Sequence, residues 1–173
     1  MKEIEEYLMK KERSMDMLLA LQREIIRECS KAIKEIHVGK IQDAEKRIKN
    51  AEERFKKLPE DCSMYPHRLH IAQEIFESKI LLFAVKKGKI LKPEQPYEAF
   101  LTGSLDAIGE LKREMYEALR KGNKKEAEKY FKLMEEIYDE SLHFKFSESV
   151  LAGFRRKQDV ARIQLEQARG ELL

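Results

Sequence analysis

The strongest constraint on the fold of this 173-residue chain is the spacing of its apolar residues. They recur every three or four positions over long stretches that contain almost no glycine or proline. Such spacing places apolar side chains on one face of an α-helix, whereas a half-buried strand would need strict alternation. Lys, Glu, Leu, Ala and Ile, which helices tolerate well, make up much of the sequence. The pattern therefore predicts an all-α protein.

Breaks in this spacing, at glycines and prolines, divide the chain into six predicted helices. They are expected to cover residues 2–37, 40–58, 66–87, 96–121, 124–144 and 150–170. The segment 86–96, which holds two prolines and a glycine, is the one clear connector. Because short connections favour antiparallel neighbours, we expect a single domain over residues 1–173, built as a bundle of six to seven antiparallel helices.

Charge, cysteine content and hydropathy limit the classes of function. The 35 basic and 32 acidic residues give a net charge of +3, so any nucleic-acid surface must come from the arrangement of charges in space. Cys29 and Cys62 form neither a disulfide framework nor a zinc motif, which favours a reducing cytoplasm. The longest apolar run, residues 80–85, is far shorter than the roughly 20 residues that cross a bilayer. We expect a cytoplasmic protein with no signal peptide and no membrane partner.

Two pairs of acidic residues stand at helical spacing, Glu74 with Glu77 and Asp106 with Glu110. Residues three or four apart share a helix face, so each pair can present two carboxylates in one direction. Oxygen ligands of this kind suit a hard divalent cation such as magnesium, which can activate water and stabilise a phosphoryl transition state. In so acidic a chain, however, such pairs usually just face solvent.

The helical wheel separates the two pairs. The pair on the fourth predicted helix lies nearly opposite the apolar stripe of that helix, as solvated residues would. The pair on the third lies on a segment with almost no polar face, which predicts that Glu77 is at least partly buried. A buried carboxylate is costly unless it is paired, hydrogen-bonded or metal-bound. Lys79 or Arg68 could neutralise Glu77 instead of a metal.

Histidines leave a second kind of metal site open. A transition metal would suit a shared helix face formed by His67, His70, Glu74 and Glu77. Glu140 and His143 form one ExxH motif, whereas a di-iron bundle needs two such motifs and two further glutamates. No Ser/His/Asp or Cys/His arrangement and no glycine-rich phosphate loop is identifiable.

Basic residues form two candidate phosphate-binding groups. Steps of four, four and three place the first group on one face of the first predicted helix. Its members are Arg23, Arg27, Lys31 and Lys34. The second group is the run Arg155, Arg156 and Lys157. Glu24, Glu28 and Glu35 lie beside the first group, so the alternative is an ordinary solvated face with ion pairs.

Four segments of the chain resemble the translin and Trax family, and they occur in the family's order. They are residues 23–37, residues 72–78 (AQEIFES), residues 98–111 (EAFLTGSLDAIGEL) and residues 153–172. The second resembles the Trax segment in which two glutamates stand three apart on a mostly apolar helix. The third resembles the family signature, in which a glycine, an acid and then Gly-Glu-Leu recur. The last resembles the closing helix, with its basic triplet followed by an aspartate.

This resemblance implies curved helical subunits, with the translin-like α-α superhelix, that assemble into closed octameric shells and bind RNA or DNA inside. Trax carries an endoribonuclease site that translin largely lacks. Carried over by position, the catalytic residues and metal ligands are Glu74, Glu77, Asp106 and Glu110. The implied ion is Mg²⁺, with Mn²⁺ as an alternative. Because all four acids are present, the chain resembles the catalytic, Trax-like side of the family and its compact archaeal forms.

The expected protein is therefore a homo-oligomer, an octamer by resemblance, that cleaves single-stranded or short duplex RNA with magnesium. A non-catalytic shell that binds RNA or single-stranded DNA is the alternative, and a purely structural bundle is a third. Gly103 and Gly109 would let the facing helix approach closely, although a glycine can also simply weaken a helix.

Overall fold

The computed structural model describes residues 1–59 and 64–173 of the chain. Within these ranges it contains six α-helices and no strand. The helices are α1 (Lys2–His37), α2 (Ile41–Phe55), α3 (Tyr65–Lys87), α4 (Tyr97–Arg120), α5 (Lys124–Ser141) and α6 (Phe154–Leu172). The predicted all-α class is confirmed. Cys62 lies outside the described residues.

Three helix ends differ from the prediction by more than two residues: α2 ends at Phe55 rather than near residue 58, and the other two lie at the connection between α5 and α6. α5 ends at Ser141, and α6 begins only at Phe154. Gly153 precedes α6 with a φ of +71°, a left-handed conformation that glycine adopts readily. Its backbone N–H donates to a Glu148 carboxylate oxygen at 2.7 Å. The predicted start of the last helix near residue 150 is wrong because the chain makes this turn first.

α3 and α4 lie at the centre of the molecule. α1, α2 and α4 all pack against α3, and α5 and α6 pack against the other side of α4. This arrangement explains why α3 is apolar on nearly every side, since it has a neighbour on most of its circumference. α6 and the end of α1 also cover α4, and they determine the surroundings of its acidic residues.

Gly103 sets the separation between α3 and α4. A Cβ atom at this position would lie 2.7 Å from the Gln73 carbonyl oxygen and 3.0 Å from the Phe76 Cβ atom. Real Cβ atoms essentially never approach backbone so closely. At Gly109 a Cβ atom would meet only the end of the Gln164 side chain, at 3.1 Å. The predicted role in close helix approach is therefore confirmed for Gly103, whereas Gly109 faces a movable side chain.

The first part of α1 projects from the bundle. Leu18 is the first buried residue of this helix, and residues 1–17, hereafter the N-terminal arm, are exposed except for two partly buried positions. Exposed apolar side chains in the arm include Ile4, Tyr7 and Leu8. In the described part of the chain, no helix combines the length and the apolar character needed to cross a membrane.

Candidate functional site

The four acids predicted from the sequence lie together where α3 packs against α4. Glu74 and Glu77 come from α3, Asp106 and Glu110 come from α4, and all four are partly buried. The charges of the other three each raise the pKa of Glu77, which shows that the side chains are close enough to interact. These four residues are called the acidic cluster below, with an α3 pair and an α4 pair.

Burial dominates the electrostatics of the α3 pair. It raises the pKa of Glu77, and the neighbouring carboxylates add to this effect, so that the pKa reaches about 8. Burial also raises the pKa of Glu74, against the opposing influence of His70. The expectation that Glu77 is partly buried is confirmed. Both shifts have the direction expected for carboxyl groups that lose water without gaining a cation.

Neither base considered as a partner for Glu77 contacts it. Lys79 Nζ lies 2.7 Å from a Glu52 oxygen and 2.6 Å from a Glu94 oxygen. Arg68 donates instead to two backbone carbonyl oxygens that follow α2. Among the described residues, the α3 pair therefore has no ion-pair partner.

A base from α6 holds the first acid of the α4 pair. Lys157 Nζ lies 2.6 Å from both carboxylate oxygens of Asp106. Gln73, from α3, donates through Nε2 to Asp106 Oδ2 at 2.8 Å. The expectation that the α4 pair is solvated holds only in part: both side chains are 27% exposed, and α6 and the end of α1 cover the rest of this side of α4. A helical wheel of α4 alone contains no information about those neighbours.

A histidine from α1 holds the second acid of the α4 pair. His37 lies 2.6 Å from Glu110 Oε2 through Nε2, and its Nδ1 contacts Glu114. Burial alone would lower the pKa of His37, but the two hydrogen bonds outweigh it and raise the pKa to about 9. The hydrogen bond from His37 in turn lowers the pKa of Glu110.

Sequence reasoning missed His37, Glu114, Gln73 and Lys157 as neighbours of the cluster. One signal was available for Glu114, which extends the spacing of Asp106 and Glu110 by a further turn on the same face. The other contacts join different helices, so nothing in the local pattern pointed to them.

Solved structures share this architecture over the whole chain. The crystal structure of AfC3PO superposes with a TM-score of 0.87 and 30% identity, and the match covers 99% of this chain and 94% of that one. C3PO is translin/Trax-like, so this chain belongs to the translin and Trax family. The complex of AfC3PO with duplex RNA gives a TM-score of 0.86, also at 30% identity, over 99% and 93% of the two chains. Apo-NeC3PO, at 21% identity, has the same fold with a TM-score of 0.84 over 99% and 94%.

Sequence comparison also finds a relative of this chain. An uncharacterised protein of Methanocaldococcus jannaschii is 33% identical over 176 residues, which span 96% of this chain and 78% of that protein. No protein-family model matches the sequence.

The basic stripe of α1 is exposed in this family member. Its members are Arg23, Arg27, Lys31 and Lys34. The acids beside the stripe mostly pair with α2: Glu24 contacts Arg54, and Glu28 and Glu35 contact Arg47. In the described chain, Lys31 is the stripe residue with an ion-pair partner, 3.8 Å from Glu28. These acids therefore join α1 to α2 more than they neutralise the stripe.

The basic triplet at the start of α6 divides into two parts. Arg155 and Arg156 are exposed, whereas Lys157 is partly buried and binds Asp106. Two of the three candidates thus lie on the surface, and the third belongs to the acidic cluster.

The chemistry of the cluster suits a hard divalent cation, because all four donors are carboxylates and the α3 pair is desolvated without a base. Asp106 and Glu110, however, each already bind a base. Over residues 1–59 and 64–173, no three acidic, His or Cys side chains converge closely enough to hold an ion, whether at the cluster or around His67 and His70. A cation bound by all four carboxylates would therefore compete with Lys157 and His37.

Proposed function

We propose that this protein is a Mg²⁺-dependent endoribonuclease that binds single-stranded or short duplex RNA in a homo-oligomeric shell, an octamer, and cleaves it at the acidic cluster. The observation that carries the proposal is the α3 pair, two desolvated carboxyl groups without a neutralising base beside two more carboxylates. The complex of AfC3PO with duplex RNA supports RNA as the ligand, since that protein is 30% identical over nearly the whole chain. Mn²⁺ is an alternative ion, and the cytoplasm is the proposed compartment.

Within this proposal, Glu74, Glu77, Asp106 and Glu110 would hold the ion directly or through water. The ion would supply an activated water and offset the charge that develops on a phosphodiester. The chain's own residues orient these ligands. Lys157 and Gln73 fix the carboxylate of Asp106 from two sides, and His37 fixes that of Glu110. Outer partners of this kind keep ligands in a productive orientation.

RNA binding is proposed to use the exposed cations. The stripe of α1 (Arg23, Arg27, Lys31 and Lys34) and the start of α6 (Arg155 and Arg156) present charges that few acids neutralise. Such charges bind phosphates without reading sequence. Lys157 would contribute to RNA binding from within the cluster, where its ammonium group lies beside Asp106.

A cleavage assay tests the catalytic part of the proposal. The parent protein is expected to cut a short end-labelled RNA with Mg²⁺ and to lose this activity with EDTA. Glu77→Gln and Asp106→Asn should each lower the rate by more than the roughly 10- to 100-fold that loss of an outer contact costs. Glu128→Gln, an exposed change on α5, is the matched control and should cleave like the parent. Equal rates for all variants would contradict the assignment of the cluster.

The alternative is a non-catalytic protein that binds RNA or single-stranded DNA. The ion pairs of Asp106 and Glu110 favour it, since they give these two acids a structural role without a metal. In that case binding would fall steeply with salt, as counterion release requires, but no divalent ion would produce cleavage. A lack of salt-dependent binding would overturn both versions.

A further inference from the structure

The N-terminal arm is a helix that lacks tertiary support. An isolated helix of about this length is marginal in water even with a favourable sequence. One side of the arm carries the exposed apolar residues Met1, Ile4, Leu8 and Met9. Counted back in steps of seven, Ile4 lies in the register of the buried residues Leu18 and Ile25, and positions 1 and 8 lie in the register of the buried Cys29. The buried face of α1 thus extends into the arm, where no described part of the chain covers it.

This same side of the arm carries two acidic residues and one basic residue, Lys2. Glu5 and Glu12, two helical turns apart, flank Ile4, Leu8 and Met9. Neither glutamate has an ion-pair partner within the described ranges of the chain. A surface that complements this side of the arm would be elongated and apolar, with unpaired basic groups along its border.

A groove with these properties lies between α2 and the C-terminal half of α3. Its volume is about 670 Å³, and its lining includes the apolar side chains of Ile48, Leu82, Phe83 and Leu91. Five lysines also line it: Lys46, Lys49, Lys79, Lys86 and Lys87. Lys79 and Lys86 are paired with Glu52 and Glu45, which also line the groove, whereas Lys46, Lys49 and Lys87 have no ion-pair partner in the described structure.

The arm and the groove also match in length. Residues 1–12 of a helix rise about 17 Å, and the part of α2 that lines the groove, residues 42–52, rises about 15 Å. The arm cannot enter the groove of its own chain. α2 runs back along α1, with Arg47 beside Glu35 and Arg54 beside Glu24, so the arm continues past the far end of α2 as part of the same uninterrupted helix.

We propose that the arm of one protomer docks into this groove on a second copy of the chain, as a helix held in an apolar groove. Ile4 and Leu8 lie on the apolar floor, and Glu5 and Glu12 face the unpaired lysines of the rim. The contact joins two different surfaces, so it repeats from protomer to protomer and closes a ring where the rotation allows. It specifies a surface for the proposed homo-oligomer and does not depend on the nuclease chemistry.

Charge exchange tests the contact. The full-length parent, without RNA or divalent ions, is expected to be oligomeric by sedimentation and native mass spectrometry. Glu5→Lys with Glu12→Lys should raise the dissociation constant about tenfold or more, because like charges then face each other. Lys46→Glu with Lys49→Glu should do the same, and all four changes together should restore assembly to nearly the parent level. Far-UV circular dichroism checks that each variant is folded.

Matched controls separate this contact from general charge effects. Lys10→Glu changes the opposite side of the arm, and Lys125→Glu changes an exposed site on α5. Both should assemble like the parent. A monomeric parent, unchanged mass in the reversal variants, or failure of the four changes to restore assembly would each overturn the contact. RNA cleavage by a monomer would leave the nuclease proposal intact, whereas an oligomer without cleavage would overturn only that proposal.

Discussion

The α3 and α4 pairs of the acidic cluster have opposite surroundings, although they lie side by side. Glu74 and Glu77 sit among buried side chains, and no base of the described chain forms an ion pair with them, although the charges of His70 and Lys157 act on them from nearby. Asp106 has Lys157 and Gln73, and Glu110 has His37. Burial raises the pKa of both α3 carboxyls, whereas the hydrogen bond from His37 lowers the pKa of Glu110.

This difference shows which half of the cluster a purely structural role explains. Ion pairs account for the α4 pair, because each carboxylate there has a hydrogen-bonded cation. Nothing comparable offsets the burial of Glu77, and a desolvated carboxyl group without a partner is a cost to stability. Glu77 is therefore the residue for which binding of a cation explains most, and the predictions below start from the packing that keeps it buried.

Gly103→Ala is expected to give the largest effect, because it pushes α3 and α4 apart at the turn that carries Glu77. The added methyl group meets the Gln73 carbonyl oxygen at 2.7 Å, so backbone must move. We expect a loss of about 3 kcal/mol in the free energy of unfolding, measured by urea denaturation. Gly109→Ala is the control. It meets only a movable side chain and should be neutral or more stable by up to about 1 kcal/mol. Equal losses at both sites would contradict this account.

Glu77→Gln should remove a pH dependence that the buried carboxyl group imposes. The pKa rises from 4.5 in the unfolded chain to about 8 in the folded one, so the native state holds the extra proton. The contribution of the protonated Glu77 carboxyl group to stability is complete below pH 4.5 and disappears as pH rises to about 8. The variant should therefore become more stable than the parent over this range. The difference in the free energy of unfolding should reach roughly 2 kcal/mol at pH 8.5.

The check on Glu77 is a series of urea titrations from pH 4.5 to 9. Glu128→Gln, which changes an exposed acid, should track the parent at every pH. Parallel curves for the parent and Glu77→Gln would show that the α3 carboxyl group is as well solvated as the exposed one, and the contrast between the two pairs would fail.

His37→Gln probes the α4 pair in the opposite sense. The pKa of His37 rises from 6.5 to about 9, so the imidazolium ion stabilises the native state fully below pH 6.5 and loses this effect as pH rises through 9. The variant should be less stable than the parent by about 1 to 2 kcal/mol at pH 6, and the gap should shrink above pH 9. Thermal unfolding at both pH values measures it. A gap that does not change with pH would mean that His37 acts through packing rather than charge.

Helical spacing and its breaks were enough to predict the class of fold and most helix ends, because each of these depends on a short stretch of chain. Spacing also picked out the two acidic pairs, but their combination into one set of four came from the resemblance to the translin and Trax family. The surroundings of the acids depend on contacts between helices. The wheel of α4 placed Asp106 and Glu110 in solvent because it does not contain α6 or α1. The late start of α6 was missed for a related reason, since the left-handed turn at Gly153 leaves only one glycine as a trace in the sequence.

The smallest expected effect concerns the salt dependence of RNA binding by the basic triplet of α6. Within this triplet, as within the acidic cluster, one charge is paired and another is not. Arg155 is exposed, whereas Lys157 is bound to Asp106. If Arg155 contacts a phosphate, Arg155→Gln should make the negative slope of log K for RNA binding against log salt concentration shallower by about 0.7 to 0.9, the change for one contact. Lys157→Gln should change the slope by less, because the ammonium group is already neutralised by a carboxylate. Fluorescence anisotropy with a labelled RNA at several salt concentrations measures both slopes. A larger change for Lys157→Gln would mean that RNA draws this lysine away from Asp106, and then the α4 pair would have a free carboxylate whenever RNA is bound.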